Sequence, residues 1–476
     1  MKTVLLVIDH GLALAYFLYT DLAKKLLDKD LRLVFLVQDD LLPRLRQEYA
    51  NTPNIVFESL REDQLVRYQK TYRPRLQEML EYIRGAVASP RIPLTYVDTH
   101  RQRKIYEARG RWKLALQLAQ PLIYIMRHSK LARQAFMRLQ NWALTPDIYE
   151  DYLDQYRPDL VLASTCGWRI DRYMLREANH RHIKTAAVTV GWDNPSANGL
   201  PGAFVDSVIV WSKIHEWELS AGIDWPVEKI HIGGMPLYDN YLSRKWTMSR
   251  QDYFKAHDLD PQKKLLAFVA TALSITPNLH IIEALADLLS CGKLEVPAQL
   301  LIRLHPNHFR PMPHYEAERE AIYRLAERYP NVRVVAPRPL AGNVLRYSGE
   351  DFEEKASMLA NCDVMISIYS TMVLEAALHD KPVVSACIDT PLGWPNNFWI
   401  PLSKIPGWPT AARVVKCNAS RTAYTSGELA DILNLYLKDP SLDAAGRRQF
   451  VEQELTYIKV GQAVEKTAGQ LVALLD

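Results

Sequence analysis

The chain has 476 residues and a formal net charge of +4, with 48% hydrophobic and 24% charged residues. This is globular composition, which excludes a disordered or collagen-like chain, and at ~150 residues per domain it gives two large domains or about three. The longest apolar runs, such as VLLVI at 4–8, fall far short of the ~20 residues that span a bilayer. Five cysteines (166, 291, 362, 387 and 417) form no CxxC pair. They point to a reducing, cytoplasmic setting rather than a zinc site or a disulfide framework.

The charge is uneven. Residues 61–141 hold 17 Lys+Arg against 6 Asp+Glu, a balance of +11, which leaves 41 against 48, or −7, for the rest. Such a segment is either a solvated helical face or a contact for something anionic, such as a lipid surface.

The first 60 residues alternate strand and helix. TVLLVI (3–8) reads as a buried strand rather than a signal sequence, because its apolar core runs into Asp9 and His10. A helix is expected from Tyr16 to Leu27, and LRLVFLV (31–37) and NIVFESL (54–60) read as further strands. Continuous apolar runs indicate a parallel sheet covered on both faces. From about 61 to 154 the text is helical and basic, with one long helix or a helix pair over 113–142, interrupted at Pro121. Strands then return at 159–165, 185–191, 207–212 and near 229–236. A second alternating run follows, with strands at 264–272, 299–306, 331–337, 363–368 and 381–387, and the chain ends in helices at 427–437 and 448–475. Two such runs predict two doubly wound parallel sheets, with ligands at the carboxyl ends of the strands and the site in a cleft between domains.

The strand ends carry the candidate chemistry. His10 follows the first strand; it is a general base near working pH or a turn residue. GWDNPSANG (191–199) places Asp193 after another strand, as a base, a contact for acceptor hydroxyls or an Asx turn. Gly233-Gly234-Met235-Pro236 suggests a crossover with close backbone approach. Ser274 and Thr276 lie in a hydroxyl-rich loop ahead of a helix, which suits phosphate or plain capping. Arg303 and His305 end a strand at Pro306 and suit an anion. In DVMISIYSTMVLEAALHDKPVV (363–384) a buried strand gives way at Tyr369-Ser370-Thr371 to a helix, and Glu375 stands one turn in, within reach of ribose hydroxyls. Hydroxyls at a positive helix end make this the strongest phosphate candidate.

This order of elements resembles the GT-B glycosyltransferases. His305-Pro306 followed by Ser370-Thr371 looks like the HP and S motifs of bacterial sialyltransferases, Kdo transferases and CDP-glycerol glycerophosphotransferases. ISIYSTMVLEAALHDKPVV and GWDNPSANGLPGAFVDSVIVWS are similar to segments of GT-B proteins of surface-polymer pathways. The resemblance leaves out residues 61–154, and the acidic base motif of the sialyltransferases is absent. Asp258-Leu259-Asp260 matches DxD but precedes a strand, so no metal site is expected from it.

The expectation is a GT-B, α/β chain. An acceptor-binding domain spans 1–240, a donor-binding domain 241–445, and a C-terminal helix, 446–476, packs back on the first. Ser274, Arg303, His305, Ser370, Thr371 and Glu375 would bind a CMP-, CDP- or UDP-linked donor, with no further cofactor. His10 or Asp193 would deprotonate a hydroxyl acceptor, a lipid-linked one included. Residues 61–142 would dock on an anionic membrane at the inner face of the plasma membrane, with Arg111, Lys113, Arg127, Lys130, Arg133 and Arg138 as contacts. No nucleic-acid module is recognisable there, so no nucleic-acid partner is expected. Glycerophosphate transfer, non-hydrolysing epimerisation of a nucleotide sugar and non-catalytic binding are the rival readings.

Overall fold

The computed structural model describes residues 1–192, 194–272, 276–340, 343–347, 349–390 and 400–475. The chain divides into two compact units, Met1–Asp239 with Leu455–Asp476, and Asn240–Glu454.

The first unit is built on a seven-stranded parallel sheet. Its strands are β1 (Lys2–Val7), β2 (Leu31–Val37), β3 (Ile55–Ser59), β4 (Leu160–Ala163), β5 (Thr185–Val188), β6 (Ser207–Val210) and β7 (Ile230–Ile232). They run in the order β3-β2-β1-β4-β5-β6-β7. The apolar runs seen in the sequence are buried along nearly their whole length, as expected of strands covered by helices on both faces. The second unit has β8 (Lys264–Val269), β9 (Ala298–Arg303), β10 (Val332–Val335), a hairpin of β11 (Pro339–Leu340) and β12 (Asn343–Tyr347), then β13 (Val364–Ser367), β14 (Val383–Ala386) and β15 (Arg421–Ala423). Its six-stranded parallel sheet has the order β10-β9-β8-β13-β14-β15. Both sheets are doubly wound, so the chain is the expected pair of Rossmann-like domains. In each sheet the strand order reverses once, between β1 and β4 in the first and between β8 and β13 in the second.

Several helices differ from expectation. The helix expected from Tyr16 is two helices, Gly11–Leu18 and Leu22–Leu27. Thr20 separates them: its hydroxyl donates to the Tyr16 carbonyl and accepts from the Leu22 N–H. Residues 113–142 fall into three helices, Gly110–Leu118, Gln120–His128 and Lys130–Ala143. Pro121 stands in the first turn of the middle one, where its missing N–H costs nothing, and so starts a helix instead of interrupting one. Ser129 caps the third through the Ala132 N–H. The terminal helix is also divided, into Ala444–Glu454 and Gln462–Ala473, the second preceded by Gly461 in a left-handed conformation.

The helix Gln462–Ala473 packs on the first unit, over the glycine pair after β7. A Cβ on Gly233 would stand 2.6 Å from Thr467 Oγ1, and one on Gly234 2.8 Å from Ala463 Cβ. The glycines therefore provide the close approach read from the sequence, and the element that approaches is this helix.

The basic segment forms seven helices between β3 and β4, from Glu62 to Tyr156. Two of its expected membrane contacts face inward. Arg133 is buried, with Nε 2.6 Å from Asp224 and Nη1 donating to the carbonyls of Met126 and Arg127. Arg127 donates to the Ala86 carbonyl and pairs with Asp98 at 2.9 Å. Both spend their charge holding the helices together. Arg111, Lys113, Lys130 and Arg138 are exposed.

Candidate functional site

The described candidates of the second unit lie at the carboxyl ends of β9 (Arg303, His305) and β13 (Ser370, and Thr371 and Glu375 in the helix that follows), the two strands that flank β8. Beyond β13, Tyr369 is held by a 2.6 Å hydrogen bond between its hydroxyl and that of Thr422, in β15. Ser370 is the N-cap of the helix Thr371–Leu378, with extended backbone, yet its side chain makes no capping bond. Its Oγ lies 3.4 Å from Ser367 Oγ, which in turn donates to the carbonyl of Val269 at the end of β8. Ser370 and Thr371 are both half-buried, so the junction opens to the surface instead of lying in the core. An uncapped helix start with two accessible hydroxyls, at the point where the strand order reverses, is the place where an open α/β sheet binds an anionic ligand.

The turn after β9 is built to orient His305. Its Nδ1 accepts the Asn307 N–H at 3.1 Å, so the ring proton resides on Nε2, which is left as a donor. Burial pushes the imidazole down to about 4, and the charges of His308 and Arg303 add to this. His305 is thus a neutral donor across the physiological range. The same turn is tied to the loop after β8 by a buried chain. His308 Nδ1 contacts the His305 carbonyl at 3.1 Å, and its Nε2 lies 2.8 Å from Glu318 Oε2. Glu318 also accepts from the Asn278 backbone N–H and side-chain amide. The Asn278 side chain in turn pairs with both backbone groups of Thr271. Thr276, in that loop, is buried.

Two candidates do not face outward. Arg303 is 5% exposed, and its Nη2 lies 2.9 and 3.0 Å from the two oxygens of Asp351. The charge expected at the strand end is thus paired with a carboxylate 48 residues on. Glu375 is likewise 5% exposed. Its Oε2 accepts the Tyr241 hydroxyl at 2.7 Å and lies 2.8 Å from Lys355 Nζ, which also donates to Oε1 at 3.1 Å, so both oxygens are engaged inside the unit. Ser274 and Asp193 lie outside the described residues.

In the first unit the reversal point holds a cluster that the sequence reading only half identified. His10 follows β1, and its Nδ1 lies 2.8 Å from Oδ1 of the buried Asp9. Asp9 also accepts from Arg169 Nε at 2.8 Å and Ser164 Oγ at 3.1 Å, both residues just beyond β4. Burial alone would raise the Asp9 carboxyl, but His10 and Arg169 outweigh it and hold it well below the usual carboxylate range. Asp171 stands behind, accepting from the Thr165 hydroxyl and N–H, and is pushed up by burial and by the charge of Asp9. Asp9 and Arg169 were missed; the available signal was an acid directly at the end of an apolar strand. The loop after β5 is fastened up to Trp192, with Trp211 Nε1 donating to the Thr189 carbonyl at 2.6 Å and His215 Nε2 at 2.9 Å from the Trp192 carbonyl. Asp258 and Asp260, the DxD match, lie in the turn before β8, where Asp258 pairs with Arg333 and Asp260 accepts the Gln262 N–H.

No family model matches the chain, and no curated protein sequence matches it. Solved structures do. UDP-GlcNAc 2-epimerase from Neisseria meningitidis bound to UDP-GlcNAc is 12% identical, covers 99% of this chain and 100% of its own, and superposes with a TM-score of 0.53. A co-structure of S. aureus MnaA with UDP is 11% identical over 100% and 97% of the two chains, with a TM-score of 0.54. A glycosyltransferase from Rickettsia africae is 10% identical over 100% and 99%, with a TM-score of 0.51. At such identities the likeness is one of fold: the chain has the GT-B architecture, two Rossmann-like domains with parallel sheets of seven and six strands.

Proposed function

We propose that the chain is a glycosyltransferase that moves a sugar from a nucleotide-activated donor to a hydroxyl acceptor, in the synthesis of a surface polysaccharide or glycolipid at the cytoplasmic face of a membrane. The observation that carries this reading is the junction of β13 with the helix Thr371–Leu378, where Ser370 stands at a helix start without capping it. Structures of the same fold with bound UDP-GlcNAc or UDP support a nucleotide-sugar ligand.

In this reading Ser370, Thr371 and the first-turn N–H groups hold the phosphates, and His305 Nε2 donates to the nucleotide. Arg303 and Glu375 keep these loops in place without touching it. The acceptor oxygen attacks the anomeric carbon while the bond from that carbon to the phosphate oxygen breaks. The negative charge that grows on the leaving nucleotide meets prearranged donors, which is how such a site accelerates transfer without requiring a metal ion. His10 Nε2 takes the acceptor proton. Asp9 orients the ring and stabilises the imidazolium that forms. Asp193 is the alternative base, and Ser274 an added phosphate contact.

The test is a thermal-shift screen against CMP, CDP, UDP and GDP, followed by product analysis with the matching donor. At about 100 times Kd a ligand adds ~2.7 kcal/mol, a shift that is easily read. The reading expects one nucleotide to stabilise the chain and donor turnover to require an acceptor. Turnover of the nucleotide sugar alone would favour epimerisation, transfer from CDP-glycerol would favour the phosphotransferase, and no stabilisation by any nucleotide would contradict the reading.

A further inference from the structure

The helices Gly110–Leu118, Gln120–His128 and Lys130–Ala143 leave an unusual surface. Among the described residues 23 large apolar side chains are exposed, and eight of them fall within the 29 positions 114–142. The first two helices act as one rod, because Ala119 between them is helical and the N–H of Ile123 donates to its carbonyl at 3.0 Å. Leu114, Leu118, Leu122 and Ile125 therefore follow at spacings of four, four and three, along one stripe. The opposite side of this rod, through Leu116, Ile123 and Met126, is buried in the core. On the third helix Leu131 and Trp142, 78% and 75% exposed, stand eleven residues apart, three turns along one face. This third helix packs against the second.

The charge that these three helices carry has one sign. No Asp or Glu occurs between Glu107 and Asp147. Arg127 and Arg133 are neutralised inside, but Arg111, Lys113, Lys130 and Arg138 remain exposed among the apolar side chains.

We propose that this three-helix face is a monotopic membrane anchor, in which the aliphatic stripe and Trp142 enter the headgroup boundary of a bilayer while the four outer cations bind anionic lipid. An amphipathic face with basic flanks and an interfacial Trp is what such binding requires. The observations favour lipid over the other occupants. Six of the eight exposed side chains are aliphatic and offer no stacking surface for nucleic-acid bases. A second copy joined about a two-fold axis would set this acid-free surface against itself, cation facing cation. None of the described helices is long and apolar enough to cross a membrane, so the face lies on the bilayer and does not span it. The proposal is independent of the transfer reaction, since vesicle binding is read with neither donor nor acceptor.

The test is sedimentation of the full chain with vesicles of phosphatidylcholine containing about 30 mol% phosphatidylglycerol, beside vesicles of phosphatidylcholine alone. The expected result is strong preference for the anionic vesicles, weakened by salt. Leu118→Glu with Ile125→Glu is expected to lower partitioning at least tenfold, and Arg111→Gln with Lys130→Gln and Arg138→Gln to remove the lipid preference. All five positions are exposed, so both variants should keep the melting temperature of the unaltered chain. Brominated acyl chains should quench the unaltered chain more than Trp142→Phe, a comparison that still reports insertion if the glutamate variant fails to fold. Equal partitioning of a folded glutamate variant, absence of binding to anionic vesicles, or a change in oligomeric state as the variant's only effect would each overturn the proposal.

Discussion

Asp9 and His10 are neighbours in sequence, and at the end of β1 their side chains turn toward each other, with Oδ1 2.8 Å from Nδ1. The carboxylate is buried and anchored by Arg169 and Ser164 from the segment after β4, so the group that His10 Nδ1 faces is fixed in place. His10 is partly accessible where Asp9 is not, which divides the pair into a reacting group and its support.

That division predicts the effect of Asp9→Asn. The amide cannot stabilise an imidazolium, so transfer should slow by about 100-fold or more, while nucleotide affinity stays unchanged. Steady-state rates beside calorimetric Kd values check this. A parallel loss in affinity would mean that Asp9 only supports the fold.

Ser370 should separate stability from binding. An N-cap serine that caps costs about 1 kcal/mol when replaced by alanine. Here the hydroxyl makes no capping bond, so urea denaturation of Ser370→Ala should change by less than about 0.5 kcal/mol. Nucleotide affinity should nonetheless fall. A full capping loss with intact affinity would assign the residue to the helix alone.

The pair Arg303–Asp351 should behave in the opposite way. Removing one partner of a buried ion pair strands the other charge, at a cost of about 3–5 kcal/mol. Asp351→Ala is therefore expected to be strongly destabilising in equilibrium unfolding, whatever ligand is present. A well-folded variant with weakened nucleotide binding would return Arg303 to direct contact.

His305 sets a pH dependence of defined sign. Its folded value, about 4, lies below the ~6.5 of an unfolded histidine. Between these values the unfolded chain takes up a proton that the folded chain refuses, so this contribution to stability is intact above ~6.5 and is lost as the pH falls toward 4. His100 and His379, both also held near 4, act in the same sense. His305→Gln should thus lose less stability than the unaltered chain between pH 7 and pH 5, as measured by denaturation at the two values. An equal loss would show that His305 titrates normally.

The fold was legible because a covered parallel strand must be continuously apolar, a rule local enough to read at 3–8, 31–37 or 363–368. β15 and the hairpin of β11 and β12 escaped because pieces of two to five residues leave too little pattern. The placement of Ser370 and Thr371 between a strand end and a helix start was legible because strand, hydroxyls and helix follow one another directly. The orientation of Arg303 and Glu375 was not, since it depends on Asp351, Tyr241 and Lys355, which no local pattern links to them. The basic segment misled for the same reason: Arg133 meets Asp224, 91 residues away, so a charge count overstated the cations that reach solvent.

The account rests on the junction of β13 with the helix Thr371–Leu378 as a phosphate site, and isothermal titration of the nucleotide that stabilises the chain tests it most directly. Ser370→Ala with Thr371→Ala should bind at least tenfold more weakly than the unaltered chain at unchanged melting temperature. Equal affinity in the two proteins would contradict the assignment and the transfer reaction built on it.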